Sequence, residues 1–243
     1  MSGRVVVNIP RAPSTHVDAL SMLGVSTVHE AIGKRGLLGP DLRPIWPGAR
    51  IAGSAVTVEC PPGDNLMVHV AVEQAQPGDV LVLVATEPCT HGYLGELLAT
   101  SLLTRGVRGL ITDTGVRDVA ELRELGFPVW SRAVSAQGTS KYRAGRVNVP
   151  VVVGGQVVHP GDVVVADDDG VLCVPRADSG QAMEAAEQRI AREMINREKL
   201  RNGELGLDMY GLRTVLEGVD IEYVDANASR NFSPWRAFGE DFE

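Results

Sequence analysis

The run Val80-Leu81-Val82-Leu83-Val84 is apolar at every position, and Pro77-Gly78-Asp79 turns the chain into it. A run of that length without alternation predicts a strand covered on both faces. Arg50 to Cys60 has the same strand character, with small residues on one face. Residues 1–10 predict a short strand ended by Pro10, Phe127 to Trp130 another, and Val147 to Val153 a further one. His159-Pro160-Gly161-Asp162 leads into Val163 to Ala166 and repeats the earlier Pro-Gly-Asp turn as a local device. Asp167-Asp168-Asp169-Gly170 reads as a turn before the strand Val171 to Pro175.

Helical spacing predicts the remaining elements. Residues 16–33 read as helix stopped at Gly33, with Ser26 or Thr27 as the cap of a short helix carrying His29 and Glu30. Asn65 to Gln74 fits a helix. A long helix capped by Asp178 or Ser179 runs to about Asn202 and closes at Gly203. Its apolar stripe is Ala182, Met183, Ala186, Ile190 and Met194, and Glu193 lies on or beside that stripe. The tail from Val215 to Glu243 lacks clear periodicity and is expected to pack over the surface or a neighbouring subunit, its end frayed. No linker or low-complexity block divides the chain. One domain with a β-rich core and helices on its outer faces is expected over residues 1–213, followed by an extension over 214–243.

Composition narrows the function classes. The chain has 243 residues, 44% hydrophobic and 22% charged, which is ordinary for a globular protein. A net charge of −8 argues against a nucleic-acid surface, yet a few local arginines can still hold a small anionic substrate. Cys60, Cys89 and Cys173 are scattered and form neither a metal pair nor a disulfide framework, which suits a reduced cytoplasmic setting. No signal-peptide or membrane-spanning pattern is legible, so no membrane partner is expected.

The chemistry concentrates between Gly95 and Glu121, which reads as helix, tight turn, buried strand, glycine turn and second helix. Asp113-Thr114-Gly115 suits the loop at the strand's carboxyl end, where α/β sheets place their chemistry. Arg117 and Asp118 are expected to project from the first turn of the next helix. A cation, a carboxylate and exposed backbone N–H groups at one sheet edge can hold a divalent metal together with an anionic substrate.

At these residues the chain resembles the RraA-like family, and within it the 4-hydroxy-4-methyl-2-oxoglutarate / 4-carboxy-4-hydroxy-2-oxoadipate aldolases. The family pattern is a glycine, about twenty residues, Arg-Asp, two residues, and an acid. Gly95, 21 intervening residues, Arg117-Asp118, Val119-Ala120 and Glu121 match it. The likeness runs through Val151-Val152-Val153-Gly154-Gly155, Pro160-Gly161-Asp162 and Asp169-Gly170-Val171. It continues into Gly203 to Arg213, a segment similar to the aldolase branch, and covers roughly residues 20–213. Arg-Asp with a downstream acid also occurs in RraA proteins that bind an RNA-degrading enzyme and are not aldolases, so a ribonuclease-binding regulator is the alternative.

The resemblance implies an α/β fold of the ββα sandwich type and a trimer or dimer of trimers with a site shared across a subunit boundary. It also implies a divalent cation, Mg²⁺, Mn²⁺ or another, and small 4-hydroxy-2-oxo acid substrates, with oxaloacetate decarboxylation as a side activity. Asp118 becomes the metal candidate. From its position alone, an acid near a helix N-terminus, favoured by about 0.3–1 kcal/mol, would be the better explanation. Arg117, otherwise an ordinary surface or ion-pairing arginine, would bind the 2-keto oxygen. The N–H groups of Gly95-Glu96-Leu97-Leu98, which could equally just begin a helix, would hold the pyruvate carboxylate. Glu96 would position a catalytic water, although a solvated helix acid fits nearly as well. Lys141, in the polar stretch Arg132 to Arg146, would contact the keto-acid end of the substrate, where solvent exposure is the common fate of lysine. A Schiff base on Lys141 is the rival mechanism. Glu193, and more weakly Glu30, are candidates for the contribution from a neighbouring subunit, with a structural salt bridge as competitor for both. His29, His91 and His159 share no metal-ligand spacing and read as structural.

Overall fold

The structure is a computed structural model, and it describes residues 3–225. Contacts divide the chain into two compact units, Met1–Ala191 and Arg192–Glu243. In chain order the elements are β1 Arg4–Val5, α1 Ser14–Leu23, α2 Val25–Ala31, β2 Arg43–Pro44, β3 Ile51–Cys60, α3 Leu66–Gln74 and β4 Asp79–Ala85. There follow β5 Gly92–Leu94, α4 Glu96–Thr104, β6 Leu110–Val116, α5 Val119–Leu125, β7 Val129–Val134, β8 Arg146–Val147, β9 Val151–Val153, β10 Gln156–Val158, β11 Val163–Asp167 and β12 Gly170–Val174. The last described elements are α6 Ser179–Arg201, α7 Gly206–Met209 and α8 Leu212–Glu217.

Among the described residues, ten strands form one sheet around the path β1-β8-β3-β4-β6-β7-β2. The central strands β3, β4, β6 and β7 run parallel, each pair in register through their buried centres, and β5 joins β6 in parallel at its carboxyl end. β11 and β12 extend the sheet antiparallel from β3, and β9–β10 is a separate hairpin.

The side chains of the parallel strands alternate between two dry faces. Val56, Val58, Leu81, Leu83, Leu110 and Val129 meet α3, α4 and α5 through Val68, Ala71, Ala99, Leu102 and Leu122. Ala55, Val80, Val82, Ile111 and Trp130 meet β9–β10 through Val151, Val153 and Val158. A third cluster packs α1, α2 and the start of α6 on β11–β12. Each fully buried leucine or valine stabilises this arrangement by about 1.5–3 kcal/mol relative to exposure. Two helix-covered or hairpin-covered faces explain why β4 carries no polar alternation.

Three sequence expectations need correction. Residues 16–33 form two helices, because Gly24 at φ 83° breaks the run; that glycine precedes α2, so neither Ser26 nor Thr27 caps it. Val147 to Val153 is two strands, separated where Asn148 takes φ 56°. Asp113-Thr114-Gly115 is strand, not loop: β6 continues to Val116 across an irregularity between Thr112 and Gly115. Gly115 pairs with Gly92 of β5, and a Cβ there would lie 2.2 Å from the Thr90 carbonyl oxygen. A glycine that looks like a turn is thus a point of close backbone approach.

The described residues of the second unit hold the end of α6, then α7 and α8, and no regular element after Glu217. Residues 226–243, most of the tail singled out above, lie outside the described residues. No helix of the described residues is long and apolar enough to cross a membrane.

Candidate functional site

The extension of β6 moves the carboxyl end of the sheet to Arg117 and Asp118. Arg117 follows the last strand residue and its N–H donates to Leu94 O at 2.9 Å. Asp118 is the residue before α5 and stands in the left-handed region, φ 56° and ψ 45°. Neither belongs to the first turn of the helix, which begins at Val119. In that conformation the Asp118 carboxylate makes no capping bond to α5. It reaches across to α4, where Glu96 N–H donates to Asp118 Oδ2 at 3.1 Å. Arg117 Nε lies 3.6 Å from the same oxygen. Both contacts fall on Oδ2, so Oδ1 is left open. Arg117 and Asp118 are exposed side chains, so their attraction alone contributes little to stability.

Gly95 makes this approach possible. Its backbone is extended, a conformation any residue adopts, so freedom at φ is not the reason for a glycine. Space is: a Cβ at Gly95 would lie 2.2 Å from Asp118 Oδ2 and 3.0 Å from Arg117 Nε. Gly92 is similar, since a Cβ there would lie 2.5 Å from Ser135 O and 3.2 Å from Arg117 Cβ. The loop after β7 closes the other side. Gly92 N–H donates to Gln137 O at 2.7 Å, and a Cβ on Gly138 would lie 3.4 Å from an Arg117 guanidinium nitrogen.

The motif residues therefore converge. Gly95, Glu96, Arg117 and Asp118 form one group at the carboxyl edge of β5 and β6. Ala99 N–H is the first to close back on Gly95 O, and Glu96 N–H is taken by Asp118. The N–H groups of Leu97 and Leu98 are left as the donors of the first turn of α4. The Glu96 side chain accepts from Thr100 Oγ1 at 2.8 Å and remains partly accessible.

Lys141 makes no hydrogen bond or ion pair with this group; it is exposed on the stretch between β7 and β8, whose earlier part borders Arg117 at Gly138. Burial, with the Lys141 charge adding to it, holds the imidazole of His69 on α3 below its ordinary pKa. Glu193 sits in the second compact unit. Glu30 pairs with Lys34 at 3.4 Å and with Arg189 at 3.8 Å, a local structural role. His91 Nδ1 lies 2.9 Å from Cys89 Sγ, and His159 Nδ1 lies 3.5 Å from Asp162. In the Asp167-Asp168-Asp169 turn, Asp167 accepts from Val25 N and Asp169 N, and Asp168 from Gly48 N.

Two residues escaped the sequence reading. Asn65, buried at the start of α3, donates from Nδ2 to Tyr93 O at 2.8 Å, and its Oδ1 has no hydrogen-bond partner. Asp64, fully buried, gathers backbone and hydroxyl donors from 140–143. An Asp-Asn pair before an apolar helix is a capping signal, and nothing else in the sequence distinguishes it.

The segment that builds this site lies within the reach of a known family. The RraA-like family model, described as Aldolase/RraA, matches residues 18–173. The chain belongs to the RraA-like family. A Halalkalibacterium halodurans protein named putative 4-hydroxy-4-methyl-2-oxoglutarate aldolase is 30% identical over 169 residues, covering 70% of this chain and 80% of the relative. A Thermus thermophilus protein named 4-hydroxy-4-methyl-2-oxoglutarate aldolase is 33% identical over 132 residues, 54% of this chain and 80% of the relative. Among solved structures, Streptomyces coelicolor RraAS2 is described as an unusual member of the RNase ES inhibitor RraA protein family. It superposes with a TM-score of 0.69 at 30% identity, over 78% of this chain and all of that one. The RraA-like fold, with its β-rich core and outer helices, is therefore the fold of this chain.

A divalent cation, implied by the family resemblance, fits the residues present. Among the described residues no three His, Cys, Asp or Glu side chains gather as a ready-made ligand set. Magnesium does not need one, since a single carboxylate with several waters is a normal arrangement for it. Asp118 offers the open Oδ1, and the missing side chain of Gly95 lets the carboxylate approach α4 through Oδ2.

Proposed function

We propose that this protein is a divalent-metal-dependent aldolase that cleaves 4-hydroxy-2-oxo acids. The substrates are 4-hydroxy-4-methyl-2-oxoglutarate, giving two pyruvates, and 4-carboxy-4-hydroxy-2-oxoadipate, giving pyruvate and oxaloacetate. The observation that carries the reading is the shared oxygen: Asp118 Oδ2 accepts Glu96 N–H and lies 3.6 Å from Arg117 Nε, beside the empty Cβ position of Gly95. The names of the two aldolase relatives supply the reaction class.

A cation held by Asp118, when bound, supplies a Lewis acid for the substrate's 2-keto group. The remaining work falls to the chain. The N–H groups of Leu97 and Leu98, at the positive end of α4, bind the C1 carboxylate. Arg117 hydrogen-bonds the C2 oxygen, where negative charge builds as the C3–C4 bond breaks. Lys141 contacts the keto-acid end. Glu96 orients the water that takes the C4 hydroxyl proton, with Glu193 of a neighbouring subunit as its counterpart in the assembled oligomer. The electron pair of the broken bond passes to the pyruvate enolate, and a proton delivered to C3 releases pyruvate. Decarboxylation of oxaloacetate passes through the same enolate and is the expected side activity. In a cell the enzyme would serve cytoplasmic breakdown of aromatic compounds.

The test is pyruvate release from oxaloacetate and from 4-hydroxy-4-methyl-2-oxoglutarate, with and without EDTA. Release that EDTA abolishes and added Mg²⁺ or Mn²⁺ restores is expected. Release that survives EDTA and is trapped by borohydride would instead mean a Schiff base on Lys141. The match to the whole of RraAS2, over 78% of this chain, favours one second reading, a non-catalytic regulator that binds a ribonuclease. Absence of pyruvate release under every metal tried would select it.

A further inference from the structure

We infer that Asp64 is a positioning residue for substrate binding, acting through the backbone on either side of Lys141. The inference rests on the reading of Lys141 as a substrate contact.

Asp64 is fully buried at the entrance to α3, 77 positions before Lys141 in the chain. One of its oxygens, Oδ2, collects three donors from a single four-residue stretch. Ser140 Oγ donates at 2.7 Å, Tyr142 N–H at 2.8 Å and Arg143 N–H at 3.2 Å. The other oxygen, Oδ1, accepts Leu66 N–H at 3.0 Å and so ties the carboxylate to the first turn of α3. The main chain beside it repeats the link: Asn65 N–H donates to Ser140 O at 2.9 Å, and Ser140 N–H to Gly63 O at 2.8 Å. Ser140 and Tyr142, the immediate neighbours of Lys141, are thus both fastened to one buried carboxylate.

Capping of α3 alone does not explain this. One acceptor for Leu66 N–H would serve the helix, and asparagine or serine supplies that. Three further donors on a second oxygen require an acceptor-only group with several lone pairs, which among side chains is a carboxylate. The ionised form strengthens each bond. Lysine carries a long, flexible side chain with rotamer entropy to lose on binding. Fixing the backbone at both neighbours removes the loop's share of the disorder before substrate arrives, which lowers the entropic cost of binding. The same strand of loop begins at Ser135 to Gly138, packed against Gly92 and Arg117, so the clamp holds the far end of a segment whose near end borders the motif residues.

The test uses the full chain and the substitutions Asp64→Asn, Ser140→Ala and Lys141→Ala, singly and with Asp64→Asn and Lys141→Ala combined. Ser140→Ala removes one donor without touching the buried group, and serves should Asp64→Asn fold poorly. Amide hydrogen exchange at Tyr142 and Arg143 is expected to accelerate in both clamp variants, with the central strands unaffected. KM for oxaloacetate is expected to rise about tenfold in Asp64→Asn while kcat stays within about twofold, the signature of lost ground-state binding. In the Lys141→Ala background the same change should add no further rise. A KM effect of equal size with or without Lys141 would reduce Asp64 to a general structural role and overturn the inference. Unchanged exchange at Tyr142 and Arg143 would overturn it whatever the kinetics. A wild-type protein that releases no pyruvate would sink the functional reading itself, a result distinct from failure of the clamp.

Discussion

Asp118 caps a helix other than its own: its Oδ2 accepts Glu96 N–H of α4 at 3.1 Å, although α5 begins one residue after it. The carboxylate is thereby held against the glycine that opens the sequence motif. Replacing Gly95 by alanine would put a methyl group 2.2 Å from that oxygen and force the carboxylate aside. Displacements near 1 Å cost catalysis on the order of 100-fold. Gly95→Ala is therefore expected to lower pyruvate release by about that factor while the melting temperature moves little, because the backbone there is already extended. Activity within twofold of wild type would show that the carboxylate can shift without loss.

Asp118→Asn and Arg117→Ala should each reduce kcat by about 10²–10³-fold, the usual consequence of removing one charge-stabilising group from a reacting centre. Both side chains are exposed, so unfolding free energy should change by less than about 1 kcal/mol. Steady-state kinetics with denaturant titration checks the two halves together. Near-normal pyruvate release by either variant would remove that residue from the mechanism.

Acid should loosen the clamp at Asp64. Burial raises its carboxyl pKa, but the N–H groups of Tyr142, Leu66 and Arg143 and the Ser140 hydroxyl outweigh it and hold the group below the usual carboxylate range. A group depressed on folding contributes stability that is present above its unfolded value, about 3.9, and is lost as pH falls through the folded value. The stability difference between wild type and Asp64→Asn should accordingly be largest near neutral pH and shrink below about pH 4. Denaturant midpoints at a series of pH values read this out, and a gap that widens with acid would contradict it.

An ion pair whose carboxylate is fully buried anchors the segment before α1. Arg11 binds Asp79 at two points, Nε to Oδ1 and Nη2 to Oδ2, both 2.8 Å, and Gln76 N–H also donates to Oδ2. Asp79 is fully buried at the start of β4. Removing one partner of such a pair leaves an uncompensated charge and costs about 3–5 kcal/mol. Asp79→Ala should destabilise by about that much, measured by equilibrium unfolding, and a loss below about 1 kcal/mol would mean that water reaches Arg11 freely.

Much of this was legible in the sequence where one local signal acted alone. The unbroken apolar run of β4 and the Pro-Gly-Asp turns ahead of β4 and β11 lie where periodicity puts them. Reading failed where distant chain segments impose the conformation. Asp113-Thr114-Gly115 has turn chemistry, yet β5, a three-residue strand invisible to periodicity, pairs along it and makes Gly115 a contact point. Val147 to Val153 is valine-rich around Asn148 and Pro150, and the strand breaks there, with Asn148 Nδ2 donating to Val6 O in the N-terminal segment. The candidate site divides the same way. Gly95, Arg117 and Asp118 are visible as a motif, whereas the exchange of partners between α4 and α5 depends on a left-handed backbone at Asp118 that no pattern announces. Asp64 was missed because its value lies in donors more than 70 residues away.

That left-handed turn has an evolutionary consequence. Holding an aspartate at φ 56° costs about 1 kcal/mol relative to a relaxed backbone. Asparagine tolerates this region as aspartate does, and its amide oxygen can still receive Glu96 N–H. A library of variants ranked by heat tolerance alone would therefore accept asparagine at position 118, and inert protein with it. Directed improvement of this scaffold has to screen turnover and thermal endurance side by side.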